Sequence, residues 1–447
     1  MPPLTLRALL SLALPSMAFV VLTNAYRSVD QYWVQHLSTE AQAAIGSSVF
    51  VLIALYSTFQ FASAGAGPIV ARATGAQDPE RRRQAVGSSL FLALLVAAGI
   101  AAVGWLAADP IAQTLGLDGA TAQHCAAYLR AICLTALPLS LTPLVDQCSV
   151  SMGNTRLPMV LQGVSLAVNI VLTPWMMLDN PGVAWGGELA GLGLGVAGAA
   201  YASNLSRLLA TGLGLWLLMR ETGVSWRDVR PGPELRRVLQ IGSPAALSVF
   251  LYAAVYWVML RTTISPLGPN VNAALGIGFS ALEGFTWPCF YGLSLALSSL
   301  VGRSLGAGDR QGAIRAVKLA APVMTGLGLA ASLAFYFGGA FLTGLFTQDP
   351  EVHREATRYA MILAFSQLTV SWESLSEGAL LGAGDTKTVT WLSVPLNLTR
   401  VPLAWALAFP LEMGAAGVWW AINLSTWVKA GLKSAALIRG RWLELEV

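Results

Sequence analysis

Five carboxylates lie inside long apolar stretches of this chain: Asp30, Asp146, Glu283, Glu373 and Glu377. An acid near the middle of a membrane helix costs about 2.5–3.5 kcal/mol on insertion scales, so each is a functional suspect. The chemistry open to such a group is cation handling. Burial favours the neutral form of a carboxyl, so it can carry a proton, and its oxygens can ligate Na⁺. Glu373 and Glu377 are four residues apart. Two carboxylates that close in a buried place are not expected to be ionised together. The plainer role for Glu283, Glu373 and Glu377 is hydrogen bonding to neighbouring helices. For Asp30 it is an interfacial pair with Arg27, three residues earlier and on the same helix face. Aromatic residues cluster nearby, and their faces attract organic cations. Tyr32, Tyr256, Trp287, Tyr291 and Trp372 are the candidates for lining a substrate cavity, against the alternative of an interfacial belt.

The elements that position these residues follow from composition. The 447 residues are 55% hydrophobic and 11% charged, with a mean hydropathy of +0.61. Soluble domains carry about 25% charged residues. An all-α polytopic membrane protein in the lipid bilayer is expected, with no nucleic-acid partner, because the net charge of +4 matters by its position along the chain. The first apolar run is too long for a cleaved signal peptide. Cys125, Cys133, Cys148 and Cys289 show no metal-type spacing and read as packing residues. His36, His124 and His353 fall between apolar runs. Gly191-x-Gly193-x-Gly195 has no strand before it and reads as helix packing rather than nucleotide binding. Asn204, Asn397 and Asn423 head sequons but lie within spans. Nothing resembles a phosphate-binding loop, a nucleophilic triad or a metal cluster. No enzyme activity and no cofactor are expected.

Twelve spans are predicted, near 9–35, 43–70, 85–108, 124–151, 157–178, 191–219, 238–264, 272–302, 315–345, 357–382, 388–410 and 414–438. The chain is also a tandem duplication. Val70, Arg72, Gly75, Ala76 and Asp78 recur 231 residues later as Val301, Arg303, Gly306, Ala307 and Asp309. The register still holds at Tyr128 and Tyr359, and at Gly153-Asn154-Thr155 and Gly384-Asp385-Thr386. It places Asp146 on Glu377, which suggests a symmetric role for the two acids at the cytoplasmic ends. Further on, Gly195, Gly198, Asn204 and Ser206 match Gly414, Gly417, Asn423 and Ser425 at an offset of 219. The first half therefore carries about 12 extra residues near 179–188, where an external hairpin or short amphipathic piece around Trp185 is expected.

Six spans per half give both halves the same orientation, so a pseudo-two-fold axis along the membrane normal relates two six-helix lobes. The expected divisions are an N-terminal lobe over 1–219, a cytoplasmic linker over 220–237 and a C-terminal lobe over 238–447. Basic residues set the topology. With the N-terminus inside, Arg7, Arg72, Arg81, Arg82, Arg83, Arg156, five arginines of the linker, Arg303, Arg310, Arg315, Lys318, Lys387, Lys433, Arg439 and Arg441 are cytoplasmic. The external side then holds only Arg261, Arg354 and Arg358. Both termini are expected in the cytoplasm of a multi-pass plasma (inner) membrane protein.

The motifs together resemble the multidrug and toxic compound extrusion (MATE) family over nearly the whole chain. They include Leu14-Pro15…Ser28-Val29-Asp30, Gly75-Ala76-Gln77-Asp78, Gly153-Asn154-Thr155-Arg156, Asn169-Ile170-Val171-Leu172-Thr173-Pro174, Val301 to Asp309, and Gly382-Ala383-Gly384-Asp385-Thr386. The resemblance implies two lobes in a V around a cavity that opens alternately to each side. It implies a secondary antiporter, acting as a monomer, that exports small organic cations and amphiphiles in exchange for H⁺ or Na⁺. By position it makes Asp30 the coupling carboxylate, with Asn169, Ser203 and Thr173 beside it. Thr173 stands where the DinF-like branch usually has Asp, and the seventh span lacks the acid of the NorM-like branch. Glu283 resembles an acid of the DinF-like branch, the branch towards which the sequence leans. The competing expectation is a lipid-linked precursor flippase of the same superfamily, which would need more spans and a more basic cavity than Arg27, Arg130, Arg207 and Arg400 supply.

Overall fold

In lipid every backbone polar group needs an internal partner, which an α-helix provides within one segment. The structure is a computed structural model that describes residues 5–34, 36–38, 41, 44–45, 48–114, 119–184, 189–347 and 349–445, and the described residues contain helices and no strand. In chain order these are α1 (Leu6–Val34), α2 (Val49–Gly75), α3 (Pro79–Thr114), α4 (Gly119–Leu134), α5 (Ala136–Ser151), α6 (Arg156–Met177) and α7 (Gly195–Thr222). After a linker come α8 (Leu235–Met259), α9 (Pro269–Ile277), α10 (Glu283–Gly306), α11 (Arg310–Gly344), α12 (Pro350–Gly382), α13 (Thr386–Ala408) and α14 (Ala415–Arg439). Among the described residues, six helices are individually long and apolar enough to cross a membrane, and α4 with α5, bent by 56°, makes a seventh if the pair is counted as one span. The protein is an all-α polytopic membrane protein.

Local chemistry explains the breaks. Pro138 has no N–H to give the carbonyl of Leu134, and the chain bends at Thr135 between α4 and α5. A π-turn at Leu260–Ile264 ends α8, a 3-10 turn at Ser265–Leu267 leads to α9, and a second π-turn at Gly278–Leu282 interrupts the passage from α9 into α10. The expected span over 191–219 begins later, at Gly195. Gly191 and Gly193 belong to an irregular segment hydrogen-bonded along the end of α6, not to a packed helix. A Cβ on Gly191 would fall 2.0 Å from the carbonyl oxygen of Leu178. Part of the extra stretch, Pro181–Ala184, is a 3-10 turn; Trp185 lies outside the described residues. In the linker, a turn at Trp226–Asp228 is closed by Ser225, whose N–H and hydroxyl hold the Asp228 carboxyl below its usual range.

The repeated loops share one construction. Asp78, Asn154, Asp309 and Asp385 each donate their N–H to the carbonyl five residues back, at 2.8–2.9 Å. The residue before each one is left-handed: Gln77, Gly153, Gly308 and Gly384. This is a Schellman close. The same four side chains then accept a backbone N–H of the following helix, from Arg81, Leu157, Gly312 and Thr388. The polar residue that marks each loop in the sequence thus caps the start of the following helix with its side chain, which satisfies donors that the helix start leaves free.

The two sequence halves meet at the end of the bundle that carries these loops. Cβ atoms on Gly75 and Gly306 would lie 2.0 Å from Arg303 O and 2.1 Å from Arg72 O, a reciprocal contact of repeat equivalents. Arg72 Nη2 donates to Ala383 O at 2.9 Å, while Arg303 lies against Gly153. Along α2 and α8, Gly65 touches Val238 and Gly242 touches Phe61. Leu9 and Ala13 pack into a cluster otherwise drawn from the second half, and Val238 and Ile241 into one drawn from the first. Away from this end, the cluster around Tyr256 and Trp419 is formed by the second half alone, and that around Trp33 and Phe59 by the first alone.

Candidate functional site

α1 packs against α6, and α6 against α7. That packing brings together the four residues expected to hold a coupling cation. Ser203, on α7, donates its hydroxyl to both carboxylate oxygens of Asp30, at 3.1 and 3.2 Å. Asn169 Nδ2 donates to Ser203 Oγ and to Thr173 Oγ1, both at 3.0 Å. Asn169 and Thr173 are one helical turn apart on α6 and fully enclosed, and Asp30 is 5% exposed. Asn169 Oδ1 is buried and accepts no hydrogen bond. A buried acceptor left open costs free energy unless something positive meets it. The donor set is a carboxylate, an amide oxygen and two hydroxyls, which suits a proton or a small hard cation. The side chain of Arg27, expected to pair with Asp30, lies outside the described residues.

A second arginine serves this region. Arg207 is one turn from Ser203 on α7 and is buried. Its guanidinium carbon lies 3.8 Å from the centroid of the Tyr26 ring, and the Tyr26 hydroxyl donates to Ser165. Arg207 is within electrostatic reach of both Asp30 and Asp146. Asp146 accepts from Gln162 Nε2 at 2.8 Å beside a cavity of about 10 Å³. Among the described side chains in the helices of the first half, the buried charged ones are thus two acids and one arginine.

The second half is built otherwise. Tyr359 donates to Glu283 Oε1 at 2.6 Å. Arg400, the repeat equivalent of Asn169, donates to Ser425 at 2.7 Å, to Thr426 at 2.9 Å and to Tyr256 at 3.4 Å. Glu373 and Glu377 are not a pair that shares a proton. Lys433 Nζ lies 2.8 Å from Glu373 and 2.7 Å from Glu377, and Lys429 Nζ lies 3.1 Å from Glu373. Two ammonium groups neutralise the two carboxylates, so both can be ionised. Lys433, expected at the cytoplasmic surface, is 1% exposed inside α14. Its four-carbon stem and its spacing of four from Lys429 carry both charges to the acids on α12. That matched i,i+4 spacing was the signal in the sequence. It also means that Asp146 and Glu377, repeat equivalents, stand in unlike surroundings, and a symmetric role has no geometric basis.

Of the expected cavity aromatics, Trp287 and Tyr291 stack at 4.8 Å with planes 9° apart. Tyr32, Trp287 and Trp372 are exposed, whereas Tyr256 is enclosed under Arg400. At the loop end, a cavity of about 860 Å³ lies between the halves, lined by Arg72, Asp78, Arg81, Glu234 and Arg237 among others. Asn204 and Asn423 donate inside the bundle, to Thr135 and to the carbonyl of Ile362, as the placing of the sequons within spans requires. All four cysteines are free thiols.

The sequence model of the MatE family matches this chain twice, over residues 15–175 and 244–406. The chain belongs to the MatE family. It is a MATE transporter and not an enzyme, and the two matches fall on the two copies of the duplication. A curated relative from Thermotoga maritima, the probable multidrug resistance protein NorM, is 24% identical over 98% of this chain and 93% of its own length. One of the same name from Geobacillus kaustophilus is 27% identical, over 96% and 93%. The leaning towards the DinF-like branch finds no support in these names. Among solved structures, a MOP superfamily transporter from Pyrococcus furiosus superposes with a TM-score of 0.88 at 20% identity, covering 99% of this chain and 97% of that one. The outward-facing conformation of a multidrug resistance MATE family transporter gives 0.86 at 21%, covering 98% and 96%. At that identity the likeness is one of fold.

Proposed function

We propose that this MATE transporter exports organic cations and other amphiphiles in exchange for H⁺ or Na⁺, acting as a monomer by alternating access between two six-helix lobes of twelve spans in all. Asp30, Asn169, Thr173 and Ser203 hold the coupling cation. The observation that carries the reading is the convergence of these four side chains, with one amide oxygen left open beside a buried carboxylate. The charge balance supports it: among the described side chains of the first half, two buried acids stand against one buried arginine, which leaves room for one monovalent cation. A cation bound there changes the free energy of the conformation that binds it best, which is what coupling requires.

The lobes meet at the loop end, and far from it each half packs on itself. With the loop end in the cytoplasm, as the arginine asymmetry favours, this is the arrangement of an outward-open V. Coupling through Asp30 does not depend on the branch of the family. The flippase alternative gains two buried lysines, but Glu373 and Glu377 neutralise both. The test is transport in proteoliposomes under imposed H⁺ and Na⁺ gradients. Export driven by one of the two supports the antiporter, and movement of a lipid-linked sugar that neither gradient drives would favour the alternative.

A further inference from the structure

The cavity beside Asp146 belongs to no part of the Asp30 site. Thr142, Asp146, Gln162, Ser165, Arg207 and Thr211 supply its polar lining, and at about 10 Å³ it has room for one water-sized particle. Gln162 is 2% exposed, and its amide nitrogen is spent on Asp146 while its Oε1 accepts no hydrogen bond. Asp146 itself has no ion pair among the described residues. A buried carboxylate and a buried amide oxygen therefore face a small cavity whose one cationic lining residue, Arg207, makes no ion pair with Asp146.

The duplication shows what stands there in the other half. At the offset of 231, Thr142 and Asp146 become Glu373 and Glu377. At the offset of 219, Ala210 and Gly214 become Lys429 and Lys433. In the second half the Lys433 ammonium sits between the two carboxylates. In the first half both lysines are replaced by residues without a long side chain, and Ala210 lines the cavity.

We propose that the Asp146 cavity is a second station for the coupling cation, a proton on water or Na⁺, in the place where the second half keeps a tethered ammonium. Asp146 and Gln162 Oε1 hold the cation there, with the hydroxyls of Thr142 and Thr211 alongside. This rests on Asp30 as the first station. Arg207 lies within reach of both acids, so a cation at one station leaves Arg207 to compensate the other. The charged and titratable groups around Asp146 are few. Arg207 of α7 acts on it. Arg303 of α10 lies further along, against Gly153 at the end of α5. On α1, Tyr26 lies under Arg207. Arg130 of α4 is taken by Asp109 of α3. α2 and α6 present no charged side chain to it among the described residues.

Charge balance makes the test sharp. With Asp146→Asn, one of the two described buried acids is lost while Arg207 stays, so cation binding should weaken by about tenfold, within the usual range for coupled sites. Arg207→Gln should tighten binding by about as much. Asp146→Asn with Arg207→Gln should return to within about threefold of wild type, and Asp146→Glu should stay near it. The full chain in detergent is titrated in two arms: proton uptake with an indicator dye without sodium, and radioactive sodium at alkaline pH. The arm that titrates in wild type names the cation, and elution profile and drug binding verify each fold. Asp146→Asn binding like wild type, a double variant as weak as the single one, or Arg207→Gln without tightening would each overturn the station. Asp30→Asn that binds like wild type, with Asp146→Asn dead, would instead sink the Asp30 site and leave the station standing.

Discussion

Lys433→Met tests the ion cluster of the second half. The ammonium is 1% exposed and bridges Glu373 and Glu377 at 2.8 and 2.7 Å. Met fills much of the same volume, so the change is in charge. Glu373 keeps Lys429 at 3.1 Å, while Glu377, with 36% of its side chain exposed, loses its cation. Removing one partner of a buried pair costs about 3–5 kcal/mol. The partial exposure of Glu377 places the expected loss near ~3 kcal/mol, at the low end of that range. Lys433→Met with Glu377→Gln leaves Glu373 and Lys429 balanced and should recover most of it, because losing both partners is far cheaper than losing one. Unfolding in mixed micelles by titration with a denaturing detergent measures both variants. A single variant within about 1 kcal/mol of wild type, or a double variant worse than the single, would refute the argument.

Glu377→Gln leaves Lys433 on Glu373, so its transport defect should be smaller than that of Asp146→Asn; equal defects in the same efflux assay would restore the symmetric role. Gly75→Val and Gly306→Val each drive a side chain into the backbone of the opposite half, where even a Cβ stands 2.0–2.1 Å from a carbonyl oxygen. Both should open the loop end, seen as greater accessibility of cysteines placed at Ala71 and Gly302, and unchanged accessibility would argue that the contact is no closure. Asp228→Cys should react only with reagent that has entered the cell; labelling from outside intact cells would invert the topology.

Much of the fold was legible because membrane helices announce themselves by long apolar runs. The repeat was legible because Gly and Asp at fixed offsets carry turn geometry and caps. The Asp30 site was legible by position along a resemblance, since spacing alone does not bring α1, α6 and α7 together. What escaped has physical causes. Gly191 and Gly193 read as helix packing because small residues serve both helix–helix packing and the close approach of an irregular segment to a helix end. Lys433 read as surface because a lysine near a helix end usually reaches water, whereas here two acids on α12 hold it inside. Arg207 was visible as a charge in a span, but its place between Asp30 and Asp146 depends on the packing of three other helices on α7.

The central claim is that Asp30 couples ion entry to export. Asp30→Asn is nearly isosteric and imitates the neutral, cation-loaded carboxyl. In proteoliposomes with an imposed gradient of the coupling ion, the variant should remain folded and bind drug close to normally, yet show no gradient-driven efflux, and Asp30→Glu should keep part of the activity. Wild-type efflux from Asp30→Asn, with the same dependence on the gradient, would contradict the account and move the search for the coupling acid to Glu283.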